Sequence, residues 1–209
     1  MKSGTELAET GSISSSHDRI LQAAKKLFSK NGFEGTSTME IVRLAGTSES
    51  QLVKHFGGKE GLLEAVFNQG WSQIDAKLRE LDARRSPREK LALVVEVMLT
   101  ELNRDQSLKQ LLLFEGRRIR KDRRLVLAAE GFLSFVRRVD AILEEMQASG
   151  QLKPGLNMQA ARSGLMGILE GLLRDQILGA ESGYPASYSE AQMREVFNYL
   201  FSGLLAAKT

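Results

Sequence analysis

From His17 onward the apolar residues recur at every third or fourth position, and nowhere does the chain alternate apolar with polar residues in the period of two that a half-buried strand requires. Such a chain is expected to be all-α, with each helix burying one stripe against its neighbours. The first helix is predicted from about His17 to Lys30, with Ile20, Ala24, Leu27 and Phe28 on one face. Ser15 and Asp18 mark its start, and Asn31-Gly32 its stop. Ser37-x-x-Glu40 is a capping box: the serine accepts from an orphan N–H and the glutamate reaches back to the serine's own N–H. It opens a second helix that should turn Ile41, Leu44 and Ala45 inward. Gly46 supplies a left-handed turn residue, and Ser48-x-x-Gln51 reads as another capping box, opening a third helix through Phe56. Two short helices joined by a glycine-containing turn are the parts of a helix-turn-helix.

The start of the third helix is polar where a core helix would carry Leu and Ala. Thr47, Ser48, Ser50 and Gln51 are small or amide side chains, whereas Leu52 and Phe56 are placed to face the first helix. A recognition helix presents its N-terminal residues to the major groove, where hydroxyls, carboxylates and amides can read base edges. Glu49, Ser50 and Gln51 are therefore candidates for base readout, and Lys54 and His55 for flanking phosphates. The competing reading takes Ser48 and Gln51 as helix caps and nothing more. Two caps, a glycine turn and a preceding amphipathic helix in one register favour the first.

Residues 17 to 67, including RILQAAKKLFSKNGFEGTSTMEIVRLAG and TSESQLVKHFGGKEGLLEAVF, resemble the N-terminal domain of the TetR/AcrR family of bacterial transcriptional regulators. The shared features are Ala24-x-x-Leu27-Phe28, the connector Asn31-Gly-Phe-Glu-Gly-Thr36, Gly46-x-Ser48, His55-Phe56 and Lys59-Glu60-x-Leu62-Leu63. The resemblance implies a three-helix DNA-binding head on a larger all-helical domain for ligand binding and dimerisation. It also implies a repressor released by a small molecule. Carried over by position, DNA contacts fall on Ser37 and Thr38, on the Thr47 to Gln51 stretch, and on Lys54, His55 and Lys59. Val53 departs from the family, which commonly has a phosphate-touching Tyr there, so Lys54 and Lys59 are left to carry more of the backbone contact.

Charge within residues 17 to 60 is a net +2, seven basic against five acidic side chains. So thin an electrostatic footprint suits a homodimer, in which two half-sites about one helical turn apart add their contacts. Over the whole chain 29 basic residues face 26 acidic ones, so any anionic partner must meet a local patch. Residues 1 to 16 are Ser/Gly/Thr-rich with no apolar face and are expected to form an unstructured tail. The expected divisions are that tail, a head over 17 to 60, and a ligand-binding and dimerisation domain over 61 to 209.

About nine helices are expected. The fourth, from Lys59 to about Asp82, would span roughly 36 Å and act as a rod between head and body, with Trp71 a packed anchor on it. Ser86-Pro87-Arg88-Glu89 combines a capping box with Pro at the first helical position and opens the fifth, to about Asn103. A short helix over Ser107 to Glu115 and a long one from near Asp122 to Ser149 follow, then an eighth over Met158 to Leu178 and a ninth opened by Ser187-x-x-Glu190. Between Arg117 and Arg124 lies a basic cluster that fits either a solvated junction or a second nucleic-acid patch. Gly164, Gly167 and Gly171 would let backbones approach closely. The family resemblance makes the last two helices the dimer interface, adding Phe197, Leu200, Phe201 and Leu204. For the effector, Met98, Leu102, Phe114, Phe132, Phe135 and Met166 are candidates between the fifth, seventh and eighth helices, although Met and Phe at helical spacing also serve any core. Glu96, Glu115 and Glu170 lie in apolar runs, and one of them is expected to meet either a cationic ligand or an arginine such as Arg162 or Arg174.

An enzyme is not expected, because there is no Cys, only His17 and His55, and no H-E-x-x-H pattern. No metal site or cofactor is expected either. No apolar run approaches the ~20 residues of a membrane span and no secretion signal precedes the first helix, so a cytoplasmic protein that binds double-stranded DNA and a small-molecule effector is expected. Two readings stand beside the repressor: a helical protein-interaction module without specific DNA binding, and an activator.

Overall fold

The computed structural model describes residues 15–81, 85–116 and 130–207. Among these, nine α-helices and no strand are present, with one isolated antiparallel bridge between Leu152 and Leu205. They are α1 (Ser16–Asn31), α2 (Thr38–Ala45), α3 (Glu49–Phe56), α4 (Lys59–Leu81), α5 (Pro87–Arg104), α6 (Gln106–Gln110), α7 (Glu130–Ala148), α8 (Met158–Ser182) and α9 (Glu190–Ser202). A π-helical turn, Leu111–Glu115, continues α6. The basic cluster from Arg117 to Arg124, residues 122 to 129 of the expected long helix and the tail through residue 14 lie outside the described residues. Ser16, placed in the tail by its composition, is already helical, with Ser15 as its N-cap.

Most helix starts follow the local capping chemistry. Ser37 with Glu40 and Ser86 with Glu89 form complete boxes, each serine accepting from the third residue's N–H while the glutamate returns to the serine's N–H. Ser48 accepts from Gln51 N at 3.4 Å, but Gln51 does not return the bond, so only half of the expected box exists at α3. At α9 the cap is Ser189, not Ser187: Gln192 Oε1 accepts from Ser189 N at 2.8 Å. Both serines have an acceptor three residues on. Glu190 is drawn instead to Asn103 Nδ2 at 2.5 Å and to Arg194, which removes it as a partner for Ser187.

Leu44 is another correction. Ile41, Val42 and Ala45 are buried, whereas Leu44 is 50% exposed. At ~100° per residue, burial of Val42 rotates the centre of the inward arc so that Leu44 stands roughly 110° from it.

One apolar core runs without a break from α1 to α9. The first half of α4 contributes Leu62, Leu63, Val66 and Phe67 beside Ile20, Phe28, Ile41 and Leu52 of the head, and its second half contributes Trp71, Ile74 and Leu78 beside α5 and α7. Close approach of α7 to α4 depends on Gly131, where a Cβ would stand 2.7 Å from that of Trp71. The same contact is held by charge. Asp75, buried on α4, accepts from Arg79 Nε at 2.8 Å and from Arg138 Nε of α7 at 3.1 Å. No helix among the described residues is long and apolar enough to cross a membrane.

Burial by itself pushes the Asp75 carboxyl up, but the hydrogen bonds and charges of Arg79 and Arg138 outweigh it and hold the group below the ordinary value of 3.8. A depressed carboxyl contributes stability above its unfolded pKa and loses it as pH falls through the folded one. Asp75→Asn should therefore cost about 3 kcal/mol at neutral pH by leaving two guanidiniums without their carboxylate. Thermal melts should also show a shallower stability loss in the variant than in the parent as pH drops below 3.8.

Candidate nucleic-acid interface and effector cavity

The head presents its polar residues on one side because α3 has a single fully inward position, Leu52, with Phe56 half-buried beside it. Ser48, Glu49, Ser50, Lys54 and His55 are exposed, and Thr47 and Gln51 are half-exposed. Gly46 adopts a left-handed φ of 61°, and its N–H donates to the carbonyls of Arg43 and Val42, which closes α2 and turns the chain into α3. The starts of the two helices are tied together by Thr38 Oγ1, which donates to Glu49 Oε1 at 2.5 Å. Ser37 and Thr38 thus share a surface with the α3 start.

The expected phosphate contacts are held differently from one another. Lys54 is exposed and has no partner among the described residues, so its ammonium is free for an anion. Lys59 lies 4.3 Å from the centre of the Phe33 ring, a cation–π contact that uses the ring face and leaves its N–H donors available. His55 Nε2 is 3.0 Å from Ser16 Oγ, and the His55 ring meets His17 edge-on at 5.6 Å. His17 in turn stacks on Phe56 at 4.8 Å. These contacts, with Arg19 Nε donating to Ala45 O at 3.0 Å, clamp the start of α1 across the ends of α2 and α3. His55 therefore has a structural partner as well as an exposed face.

Two exposed apolar residues flank this surface and escape a search for polar readers. Met39 is 61% and Val53 57% exposed. Met39 lies on the outer side of the same α2 arc that excludes Leu44, and that arc calculation is the signal that finds it.

In the larger domain an apolar cavity of about 40 Å³ lies among α4, α5, α7, α8 and α9. Met98, Phe135 and Met166 line it. The other three expected ligand residues do not. Leu102 is sealed in the core near the end of α5, Phe114 is exposed, and Phe132 packs on Trp71 with ring centres 5.2 Å apart. Trp71, Leu165, Leu169, Glu170 and Phe197 complete much of the wall, and among the described residues no Lys, Arg or His stands in it. Trp71 was expected to be an anchor. It is one, 3% exposed, but it is also cavity wall.

Of the three acidic candidates, Glu96 accepts from Arg194 Nε at 2.7 Å, Glu115 is buried at the end of the π turn, and Glu170 reaches the cavity. Arg162 pairs with Asp140 and Arg174 with Asp175, so neither takes the expected role of partner. A second, open cleft of about 950 Å³ separates α1 from α4 and α5, and is lined by charges of both signs, including Lys26, Lys77, Glu101 and Arg104. Lys25 of α1 crosses to Asp105, the N-cap of α6, at 2.6 Å, so the head is joined to the body here as well as through α4.

Phe197 and Phe201, expected at a dimer interface, are buried in this chain's own core. On the outside of α8, Gly164, Gly167 and Gly171 have nothing within 4 Å of where a Cβ would stand. Val196, Tyr199 and Leu200 are exposed on α9, and Leu204 is half-buried just beyond it.

Residues 20–66 match the family model described as bacterial regulatory proteins, tetR family, and residues 67–198 match that of the YsiA-like protein, C-terminal region. The fatty acid metabolism regulator protein of Bacillus subtilis is 26% identical over 155 residues, covering 73% of this chain and 78% of that protein. The transcriptional regulator QacR of Staphylococcus aureus is 38% identical over 84 residues, 40% of this chain and 45% of QacR. Among solved structures, FadR from Bacillus subtilis in complex with stearoyl-CoA superposes with a TM-score of 0.77 at 24% identity, over 89% of this chain and 98% of that one. The fatty acid degradation regulator FadR from Bacillus halodurans gives 0.78 at 20% identity, over 91% and 96%.

Capping strength differs between the two helices of the interface. Ser37→Ala removes the hydroxyl that accepts from Glu40 N at 3.2 Å and donates to Glu40 Oε2 at 2.8 Å and should cost about 1 kcal/mol, whereas Ser48→Ala removes one longer capping bond and should cost less. Chemical denaturation of the two variants measures the difference, and equal costs would contradict the assignment of a half-formed cap at α3.

Proposed function

The chain belongs to the tetR family of bacterial regulatory proteins, and on that footing we propose that it is a repressor that binds a palindromic operator as a homodimer and leaves it when a long-chain acyl-CoA occupies the apolar cavity. DNA-binding transcriptional regulation, rather than catalysis, is what its family does. Its place of action in this reading is the cytoplasm, where the chromosome is. The observation that carries the DNA-reading assignment is the division of α3 into a buried Leu52 and an exposed start, with Lys54 unpartnered on the outer face. Glu49, Ser50 and Gln51 read base edges, with Thr47, Ser48, Ser37 and Thr38 beside them. Lys54, Lys59 and the exposed face of His55 meet phosphates. Val53 and Met39 offer apolar contact of the kind a thymine methyl accepts.

The dimer in this reading forms through the bare glycine stripe of α8 together with Val196, Tyr199 and Leu200 of α9. Phe197 and Phe201 support that surface from beneath without touching the partner. A self-complementary face of this type places the two heads about a twofold axis, matching a palindrome.

The effector class is supported by the FadR of Bacillus subtilis, solved with stearoyl-CoA, and by a cavity wall that is apolar but for Trp71 and Glu170. At about 40 Å³ the cavity is far below the ~300–1,000 Å³ of an occupied small-molecule site, so a ligand must part the helices that line it. Since α4 is both wall and carrier of the head core, parting them moves the heads. The ligand releases DNA to the extent that it prefers the parted state.

Lys54→Ala should lower the slope of log affinity against log salt by about 1, and Gln51→Ala with Lys54→Ala together should weaken operator binding at least about tenfold. Binding-site selection from random DNA followed by gel shift measures both, and palmitoyl-CoA should release the complex. Sedimentation should give twice 23.1 kDa, falling to the single-chain mass when Leu200→Asp places a charge on the exposed α9 face. A single-chain species for the parent at micromolar concentration would refute the dimer. Transcription assays of the regulated promoter with and without the protein separate repression from activation.

A further inference from the structure

Trp71 carries a buried hydrogen-bond donor with nothing to donate to. Its indole is 3% exposed, stands in the wall of the apolar cavity, and its Nε1 has no acceptor among the described residues. Buried N–H groups are nearly always paired, because leaving one unpaired costs about as much as a hydrogen bond contributes. Packing does not require the nitrogen. Phe132 and Phe135, with ring centres 5.2 and 4.9 Å from the indole, pack against its ring system, and neither contact is a hydrogen bond from the nitrogen.

Resting on the acyl-CoA reading of the effector, we infer that Trp71 is its specificity-determining residue: the indole N–H donates to the uncharged carbonyl oxygen of the acyl thioester, and so selects acyl-CoA over the free fatty acid. The charge of the acceptor follows from the wall. Among the described residues no cationic side chain lines the cavity, and Glu170 does. A carboxylate drawn to Trp71 would be buried among apolar side chains and beside Glu170, with no cation of its own among the described wall residues, which is strongly unfavourable. A thioester carbonyl accepts one hydrogen bond, carries no charge and continues into an acyl chain that suits Leu165, Leu169 and Val139. Met98 and Met166, unbranched and flexible, are the wall residues best able to shift as the chain enters.

Because the protein has one tryptophan, its fluorescence reports on this group alone. The full-length protein should change its emission on titration with palmitoyl-CoA. By calorimetry, palmitate should bind at least about tenfold more weakly than palmitoyl-CoA. The S-hexadecyl thioether of CoA, which lacks the carbonyl, should also bind the unsubstituted protein about tenfold more weakly than palmitoyl-CoA. Trp71→Phe should bind palmitoyl-CoA as weakly as the parent binds the thioether and should no longer distinguish the two. If thioester and thioether bind the parent equally, or palmitate binds as tightly as palmitoyl-CoA, the inference is overturned while the effector class stands. If palmitoyl-CoA does not bind the parent at all, the effector class falls and the inference with it. The thioether and palmitate arms need no substitution, so the outcome does not depend on the folding of the variant.

Discussion

The apolar stripe of α4 is shared between two sets of partners. Leu62, Leu63, Val66 and Phe67 complete the core of the three-helix head, and less than two turns further on Trp71, Ile74 and Leu78 lie in the core of the body. Interiors are packed as tightly as organic crystals and deform poorly, so displacement at one end of such a helix is transmitted to the other. Asp75 reinforces the link by binding Arg79 and Arg138 in the middle of the body half. Elsewhere the head meets the body where α1 packs against α6. Its second tie is the Lys25 to Asp105 ion pair, made across an open, mixed-charge cleft.

Polar groups divide between those that hold helices in place and those left for something else. The serine caps, Thr36 Oγ1 donating to Gly32 O, and the clamp of His17, His55 and Arg19 satisfy the head internally. In the body, buried Lys109 donates to Asn103 and Gln176, joining α6 to α5 and α8, and burial holds its ammonium below the ordinary lysine pKa. Against this background the exposed, unpartnered Lys54 and the acceptor-less Trp71 stand out, one on the outer surface and one inside.

The head was legible in the amino-acid sequence because its determinants are close together in the chain. Ser37 with Glu40, Gly46, and Leu52 among polar neighbours specify caps, turn and face within about twenty residues. The failures of the same reasoning are instructive. Leu44 pointed outward because burial of Val42 with Ile41 and Ala45 turns the inward face of α2 away from it. Ser189 displaced Ser187 as a cap because Glu190 had a stronger claim from Asn103, 87 residues earlier. Phe197 and Phe201 turned into their own core, since α9 has an apolar stripe wide enough to serve two surfaces and nothing local says which residues go to which.

The sequence by itself determined that the chain is helical, where its first helices begin and turn, and which short polar stretch heads the reading helix. These depend on periodicity and on hydrogen bonds reaching three or four residues, and such interactions form wherever the chain goes next. Only the tertiary structure decided which of the Met and Phe residues meet in one cavity, that Leu102, Phe114 and Phe132 are left out of it, and that Trp71 joins its wall with an unused N–H. A cavity is a property of five helices meeting at particular crossing points. Those points are set by side-chain interlock and by close approaches such as Gly131 against Trp71, between residues 60 positions apart, which no periodicity encodes.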